Sequence, residues 1–249
     1  LKDEVIACIK VHTFFQDDES STADDLRTQL EAIMREHKLA GVLIDLRYNP
    51  GGLITQAVDV TSLFIRKGIV VSIKDENGQL QHLRDMAGKP IWDGPLMVLV
   101  NCASASAAEI AAGTLQDYGR ALIVGDSRTF GKGTFQTVTL GATPNAPIDP
   151  QGEYKVTRGR YYTVSGKSPQ LNGVTADVVI PSGLESLEIG EKFSKYPLDN
   201  DTIPSNYEDD LADIPFFQRE KIRLMYHFDL QQRKPLYEQY LPALQANAD

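Results

Sequence analysis

Cysteine is nearly absent from this chain. Cys8 and Cys102 are too few for a disulfide framework, and neither has a ligand-like neighbour, so both read as small buried side chains. Metal-binding patterns are missing too: there is no H-E-x-x-H, no paired C-x-x-C and no EF-hand loop, and the sequence implies no metal or other cofactor. No run of eighteen apolar residues occurs, which leaves nothing to span a membrane as a helix. Basic residues are the minority, 25 against 34 acidic, and the net charge of −9 is spread widely, which argues against a nucleic-acid footprint. The serine-hydrolase signatures G-x-S-x-G and S-x-x-K are lacking. Residues 125–133 come near a nucleotide-binding P-loop, but the glycines are one residue too far apart, and Gly133 stands where magnesium needs a Ser or Thr.

What is present fits a layered α/β fold. The 249 residues have room for one large domain or two small ones. Residues 5–15 are apolar and β-branched, a strand, and Ser21 or Thr22 opens a helix with Leu26, Leu30, Ile33 and Met34 on one face. Residues 41–46 are a continuous apolar run, which predicts a strand buried on both faces. Strand, helix, strand in succession predicts a sheet with flanking helices. Asn49-Pro-Gly-Gly52 then leads into a helix over 53–65; its bare N–H groups could serve an oxyanion or phosphate, or the glycines make only a tight turn. Asp45 and Arg47 read as a local charge pair.

Residues 70–83 form a hairpin around Asp75-Glu-Asn-Gly78, with His82 exposed on it. Residues 96–100 make another buried strand. Strands are predicted at 134–140 and 155–164, joined by a proline-containing loop at 141–152, with Tyr161 and Tyr162 as sheet packing. Past residue 184 the chain turns polar and acidic, then amphipathic over 215–232 and 236–245. The expected division is a core over 1–183 and a polar linker with a helical extension over 184–249, in which His227 carries no chemistry. Opening at Leu1 on a strand, the chain reads as a fragment without its own N-terminus or signal peptide.

The chemistry concentrates in residues 101–136. Ala107, Ala108, Ile110, Ala111, Ala112 and Leu115 give a helix packed by small side chains, with Gly119 as its C-terminal stop. Ser106 falls at the N-terminus of that helix, where free N–H groups and the dipole favour a developing oxyanion. A serine there equally serves as a helix cap, as does Ser104. Lys132 shifts the balance. Glycines on both sides allow close approach to another backbone, and burial lowers a lysine pKa by up to about 3 to 5 units, enough to make the neutral amine a base. Asp117 shares the helix with Ser106 but lies about 16 Å further along it, too far for contact.

Three blocks, Asp45-Leu-Arg-Tyr-Asn-Pro-Gly-Gly52, Ser104-Ala-Ser-Ala-Ala-Glu109 and Thr129-Phe-Gly-Lys-Gly-Thr-Phe-Gln136, resemble the tail-specific, or C-terminal-processing, protease family of Ser/Lys peptidases. The similarity runs from about residue 41 to 181. It implies a crotonase/ClpP-like protease core and a periplasmic serine endopeptidase. Its nucleophile falls on Ser106, its general base on Lys132 and the residue orienting the lysine amine on Gln136, with an oxyanion hole of the Gly52 and Ala107 N–H groups. Substrates would be proteins with apolar C-terminal tails, recognised by a PDZ domain of which no segment is visible here. Ala108 stands where the family often has a third serine, and the loop 126–129 is one residue longer than usual. The competing readings are a Ser-His-Asp hydrolase using His12, His37, His82 or His227, and a non-catalytic peptide-binding core whose residues are not aligned.

Overall fold

The structure is a computed structural model that describes residues 4–86, 88–139 and 154–225. Strand β1 (Glu4–Lys10) is followed by helix α1 (Thr22–Glu36), which Ser21 caps by accepting the Asp24 N–H, with Asp24 and Asp25 in the first turn and Arg35 in the last. Those charges complement the helix dipole. Strand β2 (Lys38–Asp45), helix α2 (Ile54–Ser62), the hairpin β3 (Gly68–Asp75) and β4 (Leu80–Asp85), strand β5 (Leu96–Val100), helix α3 (Ala107–Asp117) and strand β6 (Leu122–Gly125) come next. The antiparallel pair β7 (Thr134–Thr139) and β8 (Tyr154–Tyr162), the short β9 (Val178–Val179) and helix α4 (Phe216–Met225) complete the described elements.

Two sheets result. One is parallel, in the order β1-β2-β5-β6-β9, and the other antiparallel, in the order β4-β3-β8-β7. The α2 and α3 helices lie between them. One continuous core joins Val42, Ile44, Val98 and Ile123 of the parallel sheet to Ala57 and Val60 of α2, Ile110 and Ala111 of α3, and Val70, Val71 and Tyr161 of the antiparallel sheet. The expected layered α/β architecture is therefore present, with β2 and β5 both ending in loops that meet at one place. The apolar run of β2 is not buried on both faces: Leu43 is only half-buried, because the helices cover one face. The other face carries a small cluster of Leu122, Val124 and Val178, flanked by the half-buried Met97 and Leu99. Cys8 is exposed on edge strand β1, contrary to its reading as buried, whereas Cys102 is buried.

The stretch after residue 184 crosses back over the core. Leu211 is fully buried, and Ile203 and Asn206 donate backbone N–H groups to Gly166 and Val164. Asp201 bridges Lys74, Arg160 and the Tyr162 hydroxyl on the outer side of the antiparallel sheet. Arg84 lies between Asp209 and Asp213, all three side chains 6% exposed or less. Burial alone would raise the Asp213 pKa, but the Arg84 hydrogen bonds, the His82 N–H and the Arg84 charge outweigh it and hold it below the usual range. His82 is consequently not an exposed hairpin histidine. It is half-buried, its N–H donating to Asp213 at 2.9 Å and its Nδ1 lying 2.7 Å from Ser72 Oγ.

Helix α4 leaves Phe216, Phe217 and Leu224 exposed, and its expected continuation to 232, the helix expected at 236–245, His227 and the loop 141–152 fall outside the described residues. No helix among the described residues is long and apolar enough to cross a membrane.

Replacing Arg84 with Ala strands two buried carboxylates. The Arg84→Ala chain is expected to lose about 3–5 kcal/mol in urea unfolding at neutral pH, and the difference from the parent is expected to shrink as pH falls through the lowered Asp213 pKa, where the parent loses its ion pair as well.

Candidate active site

Strand β5 ends at Val100 and enters α3 through a turn whose polar groups are satisfied internally except for the buried Asn101 Nδ2. Ser104 Oγ donates to the Leu46 carbonyl at 2.8 Å and accepts the Asn101 N–H at 3.0 Å. Asn101 Oδ1 accepts the Tyr48 N–H, and Ala105 donates to the Asn49 carbonyl. The turn after β5 is thus sewn to the turn after β2. Ser104 is fully buried and fully engaged in this role.

Ser106 differs. Its backbone sits at φ 57°, ψ −117°, a conformation that costs a non-glycine residue about 1–3 kcal/mol, and it opens α3 in a capping box with Glu109 in which its own hydroxyl makes no cap hydrogen bond. The hydroxyl is free to react, at 9% exposure, where a strand turns sharply into a helix. Gly51 packs directly against it. A Cβ added at Gly51, which has φ 98°, would lie 2.7 Å from Ser106 Cβ and 2.8 Å from the Ala107 nitrogen. Asn49 holds this turn by accepting the Gly51 N–H and donating to the Val11 carbonyl, both at 2.8 Å. The Gly51 carbonyl and the Leu53 N–H are engaged by Phe14. That leaves the N–H groups of Gly52 and Ala107 without an acceptor among the described residues, on two chain segments in van der Waals contact. Unsatisfied N–H groups beside a serine at a helix N-terminus are what a developing oxyanion requires.

Lys132 reaches the same place on the 128–133 loop. The Phe130 N–H donates to the Ser104 carbonyl at 2.9 Å, joining this loop to the serine turn. The main tie is Glu109, on the first turn of α3 and fully buried. Its Oε2 accepts the N–H groups of Ser106 at 2.8 Å and Lys132 at 2.9 Å; its Oε1 accepts the Gly131 N–H at 2.7 Å and the Thr129 hydroxyl at 2.5 Å. Burial pushes the Glu109 pKa up to about 7 against the pull of these four donors. The Lys132 amine is half-buried. Desolvation first, then the charge of Lys155, depress its pKa, while Glu191 and Glu109 pull the other way. The ammonium donates to the Thr134 carbonyl at 3.3 Å, and no hydrogen bond links it to Ser106 Oγ among the described residues. Unliganded sites commonly hold such pairs apart until substrate arrives.

A family model described as peptidase family S41 matches residues 5–180. The chain belongs to peptidase family S41. It is 38% identical over 179 residues to a carboxy-terminal-processing protease of Bartonella bacilliformis, covering 70% of this chain and 38% of that protein. It is 36% identical over 201 residues to a tail-specific protease of Haemophilus influenzae, covering 80% of this chain and 28% of the relative. Among solved structures it resembles a photosystem II D1 C-terminal processing protease, with a TM-score of 0.58 and 34% identity over 71% of this chain and 42% of that one. The chain thus spans well under half the length of these relatives.

Within this S41 core, the residues singled out by sequence converge unevenly. The main chains of Ser106 and Lys132 meet at Glu109, and Gly51, next to Gly52, packs against Ser106 and Ala107, whereas the Gln136 amide donates to the hydroxyls of Thr134 at 3.1 Å and Thr157 at 3.5 Å, not to the lysine. Asp117 accepts the Ser165 N–H, a structural bond away from the serine. Arg47 chelates Asp45 through two hydrogen bonds of 2.9 and 2.8 Å, the local pair expected. Among the described residues, no group of three His, Cys, Asp or Glu side chains is placed to hold a metal ion.

Two residues escaped sequence reasoning. Glu109 carries a signal, since a glutamate three residues after an N-terminal serine is the spacing at which it reaches back to the serine N–H. Tyr161 carries none beyond strand alternation. Gly51→Ala is expected to cost about 1–3 kcal/mol in thermal or urea unfolding, from the strained φ and the collision with Ser106, and to slow labelling of Ser106 by a fluorophosphonate.

Proposed function

We propose that this chain is the catalytic core of a periplasmic serine endopeptidase that processes or degrades proteins engaged through an apolar C-terminal tail. The carrying observation is the strained Ser106 beside two N–H groups that have no acceptor among the described residues, with a half-buried lysine of depressed pKa tied to the same carboxylate. The names of its relatives, carboxy-terminal-processing and tail-specific protease, support the substrate class.

In this reading Ser106 Oγ attacks the scissile carbonyl and passes its proton to the neutral Lys132 amine. The oxygen gains charge facing the Gly52 and Ala107 N–H groups. Lys132 then protonates the leaving amine as the C–N bond breaks. A water molecule, deprotonated by the same amine, releases the acyl group. Substrate binding displaces the Lys132 side chain from the Thr134 carbonyl, and loss of its proton to solvent leaves the neutral amine beside Ser106. Gln136, whose amide shares Thr134 as a partner, steadies the amine after that move. In this reading a PDZ domain grips the tail.

The unbonded Ser106–Lys132 pair also favours a second reading, a peptide-binding core without turnover. Incubation with an unfolded protein ending in apolar residues separates the two. Cleavage is expected from the unmodified chain, with Lys132→Ala reducing its rate by about 10²–10⁴-fold and Ser106→Ala abolishing it. Binding without cleavage in the unmodified chain supports the second reading; cleavage that survives both substitutions removes the dyad.

The pH profile is a separate check. Only the neutral amine accepts a proton, so the chemical step is expected to accelerate as pH rises, with a midpoint below the ordinary lysine value of about 10.4. A flat rate from neutral to alkaline pH, measured under single turnover, contradicts the role given to Lys132.

A further inference from the structure

Ser106 and Lys132 share not one backbone partner but two. Their N–H groups both donate to Glu109 Oε2. On the opposite side of each peptide, their carbonyl oxygens both face the hydroxyl of Tyr161, at 3.1 Å for Ser106 and in a shorter contact for Lys132. We infer that Tyr161 is a positioning residue which, with Glu109, closes a two-sided backbone clamp holding the nucleophile and lysine loops in one register. The inference rests on the peptidase reading for its effect on catalysis, though not for its effect on the loops.

Several observations separate this from ordinary sheet packing. Tyr161 and its neighbour Tyr162 are both fully buried on β8 but point to opposite faces, and only Tyr161 reaches the dyad; the Tyr162 hydroxyl donates to Asp201 at 2.8 Å. The Tyr161 N–H donates to the Gly133 carbonyl at 3.0 Å, so main chain and side chain of one residue hold two successive carbonyls, those of Lys132 and Gly133. Burial, with the nearby Glu109 charge, keeps the Tyr161 phenol protonated far beyond neutral pH, so it remains a donor. Its single proton is shared between two carbonyls. The Ser106 carbonyl also accepts from the Glu109 and Ile110 N–H groups, whereas Tyr161 is the sole donor to the Lys132 carbonyl among the described residues. A residue held at φ 57° persists only where its surroundings over-determine it, and Ser106 is gripped on both sides.

Tyr161→Phe keeps the ring and removes the shared proton. Labelling of Ser106 by a fluorophosphonate, taken per folded molecule below the melting transition, is expected to slow about 10–100-fold, the penalty for a misplaced reacting group. Peptide KM should change by no more than about twofold, because the clamp does not face the substrate. Amide exchange across 129–133 should quicken while that of β5 and the α3 interior does not. Tyr162→Phe, which loses a bond on the far face, should leave labelling unchanged.

Glu109→Gln is the second variant, because it preserves size but turns an NH2 group toward two of the four donors. Its loss should be at least as large, and the double variant should lose less than the product of the two, since both act on one register. Tyr161→Phe labelled at the parent rate, or slowed no more than Tyr162→Phe, overturns the clamp. Were the unmodified chain not labelled at all, the peptidase reading would fall, and the exchange comparison would still decide the clamp: unchanged exchange at 129–133 overturns it, and quickened exchange upholds it.

Discussion

A fully buried carboxylate, Glu109, is the constraint on which the rest of the site depends. An ionised carboxylate offers four lone-pair directions, and four donors occupy them: the N–H groups of Ser106, Gly131 and Lys132 and the Thr129 hydroxyl. Desolvating that charge is unfavourable, which is why its pKa rises to about 7. Because the folded value lies above the unfolded one, this group opposes folding increasingly as pH climbs from the ordinary carboxylate range through about 7. The four donors limit that cost, and in satisfying the carboxylate they are drawn to one point. A helix turn, a glycine loop and a lysine that are separate in the chain thereby become neighbours.

Strain is concentrated beside this anchor. Ser106 adopts a backbone conformation disfavoured for residues with a side chain, and Gly51 stands where any Cβ would strike it. The surrounding bonds hold the conformation: Asn49 around the glycine turn, Ser104 and Asn101 around the serine turn, Glu109 across both loops. Their effect is to leave the Gly52 and Ala107 N–H groups without an acceptor among the described residues, while most neighbouring polar groups have one. Two open donors beside a hydroxyl are an arrangement that stabilises charge developing on a bound oxygen.

The antiparallel sheet has two separate duties on its two faces. Its inner face packs Val70, Val71 and Tyr161 onto the helices and presents the tyrosine hydroxyl to the serine turn and the lysine loop. Its outer face would leave Tyr162 and the Arg84 guanidinium in solvent were it not covered by the stretch over 199–214. Asp201, Asp209 and Asp213 close that side with charge matched to Lys74, Arg160 and Arg84. The acidic character of this stretch in the sequence is therefore the complement of a basic sheet face.

Local pattern was sufficient for the α/β alternation, the cap at Ser21, the hairpin at 75–78, the Asp45–Arg47 pair and the helix that begins after Ser106. Each of these depends on residues within a few positions of one another, so propensity and periodicity carry them. Three short motifs also marked Ser106, Lys132 and Gly52 before any geometry was known. Burial of His82, exposure of Cys8 and the half-open face of β2 were not legible, because each is set by what a distant segment covers or leaves bare. The same holds for the fully engaged Ser104 against the free Ser106, for the lysine resting on the Thr134 carbonyl, and for Tyr161 between two carbonyls. Composition and spacing determined where the reactive residue types fall in this chain; only packing of loops distant in sequence decided which donors were saturated, which were left open among the described residues, and which side chains hold the serine turn and the lysine loop together.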